Sequence, residues 1–167
     1  MFRIFGKSKI NIFNSYVNFI ANHTPTAFVK IAGNKDFSQI SGKVEFFETE
    51  NGTLVLTEIN NLPHNSTGDF FAMHIHSGDN CNQDENGNFA DSSHYNPQNY
   101  THPSHAGDLP VLLSNNGTAF SIVLTKRFRA RDIIGRTVFV HELADDFRTD
   151  PSGNSGTKIA CGKIVNC

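Results

Sequence analysis

The amino-acid sequence predicts an all-β domain built as an antiparallel sandwich or barrel. About eight short runs rich in Val, Ile and Phe are separated by turns bearing Gly, Asn and Pro. Asn-Gly pairs sit at the centre of two longer stretches, where both residues tolerate the positive φ that closes a hairpin. Past residue 25 no segment carries an extended helical repeat.

Taken in order, the chain opens with "MFRIFGKSKINIFNSYVNFIANHTPT". Ile12, Phe13, Tyr16, Val17 and Ile20 fall at helical spacing, so residues 1–25 read as an extension with a short helix that docks on the barrel or a partner. The stretch lacks an unbroken apolar run and a small-residue cleavage site, so no signal peptide is read and the cytoplasm is expected. Residues 26–167 form the β domain. "AFVKIA" is a first strand, and "KVEFFETENGTLVLTEI" is a hairpin around Asn51-Gly52. "FFAMHIH" follows, then a second hairpin, "VLLSNNGTAFSIVLT", around Asn116-Gly117; "RTVFVHE" and "KIACGKIV" complete the set. Two stretches fit no strand, residues 77–109 and residues 142–157. Loops of this length in a compact domain point to function or to disorder.

Composition narrows the class. A chain of 167 residues with 38% apolar and 18% charged residues suits one soluble domain with a real core. A net charge of −2 gives no sign of a nucleic-acid or anionic-membrane partner. No apolar run reaches the roughly 18 residues that a membrane helix needs.

The histidines decide what the long loops are for. Eight are present, and five of them, His74, His76, His94, His102 and His105, lie within or beside residues 77–109. His141 ends a strand at the mouth of the second loop. His74 and His76, at i and i+2 on a strand, share one face. His94, His102, His105 and Asp108 offer three nitrogens and one carboxylate oxygen, a closed tetrahedral set for zinc. His74, His76 and His141 remain as an all-nitrogen group suited to copper or to a catalytic zinc. One closed site beside one open site is therefore expected.

In that light "HIHSGDN", "HYNP", "HAGDLP", "IIGRTVFVHELADD" and "GNSGTKIACG" resemble, in order, the motifs of the copper/zinc superoxide dismutases, as a bacterial-type member with a short zinc loop. The resemblance runs from about Ala27 to Val165 and implies a flattened eight-stranded Greek-key barrel with two long functional loops. It implies copper on His74, His76, His94 and His141, and zinc on His94, His102, His105 and Asp108. His94 would be the bridging imidazolate and would carry a catalytic proton while copper cycles between two oxidation states. Asp145 would link a copper histidine to a zinc histidine, and Cys81 would pair with Cys161. Read from the residues alone, the three cysteines allow three pairings, and Cys167 is the one the resemblance leaves over. A disulfide favours the cell envelope or an extracellular site, against the reading of the N-terminus.

This chain departs from the family pattern in three places. His102 and His105 are three apart, so an altered or weaker zinc site is expected. Lys158 stands where the family's "GNAGxR" motif has its active-site arginine, keeping the charge and losing the planar fork. The loop after His141 holds few lysines, so steering by it is expected to be modest. The resemblance implies an enzyme that disproportionates superoxide, its small-molecule substrate, with His94 and Lys158 as the catalytic pair and a homodimer as the assembly. The alternative is a non-catalytic copper- or zinc-buffering protein on the same fold. Non-catalytic relatives lose copper ligands, and this chain keeps all four. Metal affinity is expected to fall as pH drops through about 6.5, because a ligating imidazole must be neutral.

Overall fold

A computed structural model describes residues 8–90 and 92–167, with side chains from residue 15 onward. Helix α1 (Ser8–Asn22) occupies the segment that the apolar spacing marks as helical; the side chains of Ile12 and Phe13 lie outside the described residues. Phe19 turns its edge to Phe47 at a centroid distance of 6.4 Å, which seats the end of the helix on the sheet.

Nine strands follow: β1 (Ala27–Gly33), β2 (Ser41–Thr49), β3 (Gly52–Asn60), β4 (Phe70–Phe71), β5 (Met73–His76), β6 (Leu112–Asn115), β7 (Thr118–Thr125), β8 (Thr137–His141) and β9 (Lys158–Asn166). A 3-10 turn, η1 (Ala130–Ile133), joins β7 to β8. Hydrogen bonding orders them β4-β6-β7-β3-β2-β1-β9-β8-β5, and the pairs are antiparallel. The two ends of that order, β4 and β5, are consecutive in the chain and separated only by Ala72. One bent run, residues 70–76, thus pairs with β6 on one side and β8 on the other, which nearly closes the barrel. This is why nine strands appear where eight are expected: one strand is divided at Ala72, whose amide bonds Leu143 O and whose carbonyl accepts from the His141 amide.

The period-2 pattern sends Ala27, Val29 and Ile31 inward from β1, where they meet Val44, Phe46, Val55, Ile59 and Ile75 in one apolar core. Of the two hairpins, only the second has positive φ at both turn residues, 51° at Asn116 and 84° at Gly117. At the first, the left-handed residue is Gly52 alone, with φ 134°. A small second cluster lies outside the barrel, where Phe89 packs on Phe139 and Cys161, with Cys81 against them. Cys81 and Cys161 are bonded, and Cys167 is free and exposed. The bond fastens the loop after β5 to the middle of β9.

Because the bridge closes a loop with a sequence separation of 80, Cys81→Ser should lower the unfolding free energy by about 2–4 kcal/mol. Denaturant melts of oxidised wild type and variant check this. Coincident curves would show that the loop is held by its other contacts.

Candidate metal centre

β5 has β8 on one edge and no regular strand on the other. Ile75 and Met73 point into the core, and His74 and His76 point to the opposite face. Two pieces of residues 77–109 fold back onto the vacant edge. The Tyr95 amide donates to Ile75 O at 2.8 Å, the Ile75 amide to Gly107 O at 2.9 Å, and the Ser77 amide to Ser93 O at 2.8 Å. Bridges pair His76 with His94 and His74 with Asp108. Gly107 makes the approach feasible, since a Cβ there would run into Ile75 O. The edge of β5 is therefore the template that brings a loop histidine and a loop aspartate beside two strand histidines. His141 arrives from the end of β8, where the register with β9 shifts between Val140 and His141 and sets His141 opposite Lys158.

Two donor groups result. His74, His76, His94 and His141 each place one ring nitrogen within 4.8 Å of the others, and so do the donor atoms of His94, His102, His105 and Asp108. All seven residues are buried. His94 belongs to both groups. The three-residue spacing of His102 and His105 does not spread the second set. Arg127 Nη1 donates to Pro103 O, His105 O and Asp108 O at 2.9, 3.2 and 3.1 Å, which fastens this short loop from beneath. Of the other two histidines, His64 pairs with Asp69 on the surface and His23 stacks on Phe19.

The hydrogen bonds turn most of the inward ring nitrogens into bare lone pairs, and within the second group His94 Nδ1 donates to Asp108 Oδ1 at 2.7 Å. Asp145 Oδ2 accepts from His74 Nε2 at 2.8 Å, and its Oδ1 accepts from His102 Nε2 at 2.9 Å. Ser92 O accepts from His76 Nδ1 at 2.7 Å. Each outer bond turns the other ring nitrogen inward as a lone pair. His74 Nδ1, His94 Nε2 and His102 Nδ1 are fully buried and have no hydrogen-bond partner. His76 Nε2 faces His141 Nε2 at 3.4 Å. A tetrahedron with metal–nitrogen bonds of about 2.0–2.1 Å has edges of about 3.3 Å. The separations of Asp108 oxygens from His102 Nδ1 and His105 Nδ1, 3.2 and 3.3 Å, match it as well. Facing lone pairs in a buried site repel unless a cation lies between them, so the donor sets fit metal ions.

Burial holds His76 and His141 well below the usual 6.5, and the charges of neighbouring imidazoles and Lys158 add to it. Burial also lowers His74, against the pull of its bond to Asp145. At Asp108 and Asp145 burial pushes the carboxyl up, yet the bonds from His94, and from His74 and His102, outweigh it and hold both low. The His74, His76 and His141 imidazoles are thus neutral, and the Asp108 and Asp145 carboxylates charged, at neutral pH, as ligands and their outer partners must be.

Lys158 joins His76, His94, His141, Ser92 and Gly156 around a cleft of about 340 Å³. Its Nζ donates to Ala90 O at 3.3 Å and lies 5.0 Å from the Phe139 ring centroid. Gly153, Arg127 and Ser92 carry no sequence signal of their role. Gly153 has φ 65°, and a Cβ on it would collide with Asp145 Oδ1. Asp150 Oδ1 accepts from the His102 amide at 2.8 Å and ties the two long loops together.

Fold and site together define the class: an antiparallel β-barrel that carries two adjoining groups of potential metal donors with one imidazole common to both. Comparison with known proteins narrows this to a family. The family model described as copper/zinc superoxide dismutase matches residues 40–164. The Cu-Zn superoxide dismutase of Legionella pneumophila is 34% identical over 131 residues, covering 74% of this chain and 76% of that protein. The Schizosaccharomyces pombe enzyme is 35% identical over 144 residues, covering 76% and 90%. Among solved structures, a superoxide dismutase-like protein from Bacillus subtilis superposes with a TM-score of 0.66 at 28% identity, covering 81% of this chain and 96% of that one. The Cu/Zn superoxide dismutase from Brucella abortus shares the fold, with a TM-score of 0.65 at 23% identity and coverage of 82% and 98%. This chain belongs to the copper/zinc superoxide dismutase family.

Asp145→Ala removes the outer partner of one histidine in each group, so it should weaken binding of both metals by roughly 10–100-fold. Competition titrations with copper and zinc test this; unchanged affinity for both metals would mean that the carboxylate does not orient the two rings.

Acid stability supplies a second check. His74, His76 and His141 have folded pKa values below 6.5, so the unfolded chain takes up protons first as pH falls. Stability of the metal-free protein should be level above about 6.5 and decline below it. The lowered Asp108 and Asp145 add a further loss below about 3.8. At His74, His76 and His141, proton competition with metal should likewise set in below the 6.5 of an unperturbed imidazole. Constant stability from pH 7 to pH 5 would contradict this.

Proposed function

We propose that His74, His76, His94 and His141 hold copper, that His94, His102, His105 and Asp108 hold zinc, and that the pair disproportionates superoxide. The observation that carries the assignment is His94, which lies in both donor groups. Its Nδ1 is 2.7 Å from Asp108 Oδ1, and its Nε2 is buried and unpartnered, which leaves Nε2 as the donor for the all-histidine group. An all-nitrogen set suits copper, and a closed set with a carboxylate suits zinc.

The chemistry that bound copper supplies is one-electron transfer, taking an electron from one superoxide, released as dioxygen, and giving it to a second, released as hydrogen peroxide with two protons. The chain's own residues do the rest. His94 Nε2 is the atom that holds a proton for the second superoxide. Asp145 keeps His74 and His102 in one tautomer, so neither ring can turn its lone pair outward. Lys158 places a positive charge on the rim of the cleft, where it draws a small anion toward His76, His94 and His141. No nucleophile is required.

The body that carries this chemistry is residues 26–167, with residues 1–25 as an extension; β1 beginning at Ala27 after α1 supports that division. A second copy of the chain is the partner proposed, and the exposed Leu113, Phe120, Ile122 and Leu124 on the β6–β7 side offer apolar surface for it. A metal-buffering role on the same fold is the competing reading.

Superoxide decay measured on protein loaded with copper and zinc separates the two. Fast, enzyme-dependent decay is expected; decay equal to that in buffer, with copper confirmed bound, would leave the buffering role. Lys158→Gln should slow the rate and flatten its dependence on ionic strength, because screening acts on the removed charge. Lys158→Arg should restore the rate or exceed it. Parallel rate-versus-salt curves for wild type and Lys158→Gln would show that this lysine does not steer the substrate.

A further inference from the structure

Three of the four histidines in the proposed copper set have an outer ring nitrogen available for a protein partner, and the three partners differ in kind. His74 donates to the Asp145 carboxylate and His76 to the Ser92 carbonyl. At His141 the nearest oxygen is neither. Ser155 Oγ lies 3.1 Å from His141 Nδ1, and the Gly156 carbonyl is farther, at 3.4 Å. N–H···O bonds cluster near about 2.9–3.0 Å, so the hydroxyl makes the better bond. Ser155 is 1% exposed, and His141 is 3% exposed. Both groups are therefore largely shielded from bulk water.

We propose that Ser155 is a positioning residue for the copper site, its hydroxyl oxygen accepting the His141 Nδ1–H and so presenting Nε2 as the lone pair. The inference rests on the copper assignment made above for His141. Serine Oγ has two acceptor lone pairs and one proton, so it can also donate to a bare Nδ1. In that arrangement Nε2 would carry the ring proton and could not bind a cation. Metal binding at Nε2 therefore selects the arrangement in which the hydroxyl accepts. A neutral hydroxyl draws less on the N–H than a carboxylate does, so of the three rings His141 receives the least added basicity.

The backbone of this loop is held without the side chain. The Leu143 amide donates to Ser155 O at 3.0 Å, and the Glu142 amide to Thr157 O at 2.8 Å. Removing the hydroxyl should leave the loop in place and free the ring of His141. That separates a role in orienting the ligand from one in folding.

The test compares wild type with Ser155→Ala, both loaded with copper and zinc. Copper affinity measured by competition with a chromophoric chelator should fall by roughly 10–100-fold, the usual loss for an outer partner, while zinc affinity stays at the wild-type value. The Cu(II) electron paramagnetic resonance spectrum should change its hyperfine splitting, and Ser155→Thr, which keeps the hydroxyl, should restore it. If Ser155→Ala does not fold, Ser155→Gly removes the same hydroxyl with no added bulk. A wild-type spectrum and wild-type copper affinity in the variant lacking the hydroxyl would overturn the proposal and leave the Gly156 carbonyl as the sole partner. Absence of nitrogen superhyperfine structure in the wild-type spectrum would instead overturn the copper assignment itself.

Discussion

The structure is organised around one electrostatic problem, a set of buried ring nitrogens whose lone pairs face one another. His76 Nε2 and His141 Nε2 meet at 3.4 Å, and His74 Nδ1, His94 Nε2 and His102 Nδ1 have no hydrogen-bond partner at all. Every one of these side chains is buried, so bulk water solvates them poorly. Cations would relieve the repulsion, and on the proposed assignment two of them sharing His94 would do so for both groups. The barrel, the two loops and the disulfide serve to hold that arrangement in place before the ions arrive.

Each support acts on a different degree of freedom. Backbone bonds from residues 95 and 107 to Ile75 set where the loop lies along β5, and hence where His94 and Asp108 fall. Asp145 sets which nitrogen of His74 and of His102 points inward. Its place is kept by the missing side chain at Gly153, which therefore serves both donor groups while touching neither ion. Arg127 binds three carbonyls of the shortened loop, and the Cys81–Cys161 bond holds the preceding segment to β9. Holding neutral imidazoles and charged carboxylates together without ions is costly, which is why stability and metal affinity are coupled here through pH.

The parts legible in the sequence are those with a repeating or local cause. Alternation in "AFVKIA" and the Asn116-Gly117 turn follow from side-chain period and positive φ, and both are found. His74 and His76 were readable as one face of a strand, and the grouping of six histidines marked the long loops as functional. Less legible were contacts made between distant segments. Ala72 divides one strand into two because it bonds Leu143 and His141, residues about seventy positions away. Nothing local to Arg127, Gly153 or Ser155 signals a metal site, since each acts through a backbone carbonyl, a missing Cβ or a single ring nitrogen. The three-residue spacing of His102 and His105 suggested a disturbed set; donor convergence survives because Arg127 fastens the shorter loop.

The central claim is that one imidazole, His94, joins both metal ions. Magnetic coupling tests it most directly. With Cu(II) in the all-histidine group and paramagnetic Co(II) in place of zinc, a shared imidazolate should couple the two spins, and the Cu(II) resonance should vanish as Co(II) fills its site. An unaltered Cu(II) spectrum, with both sites shown by elemental analysis to be full, would mean that His94 binds only one ion and would contradict the account.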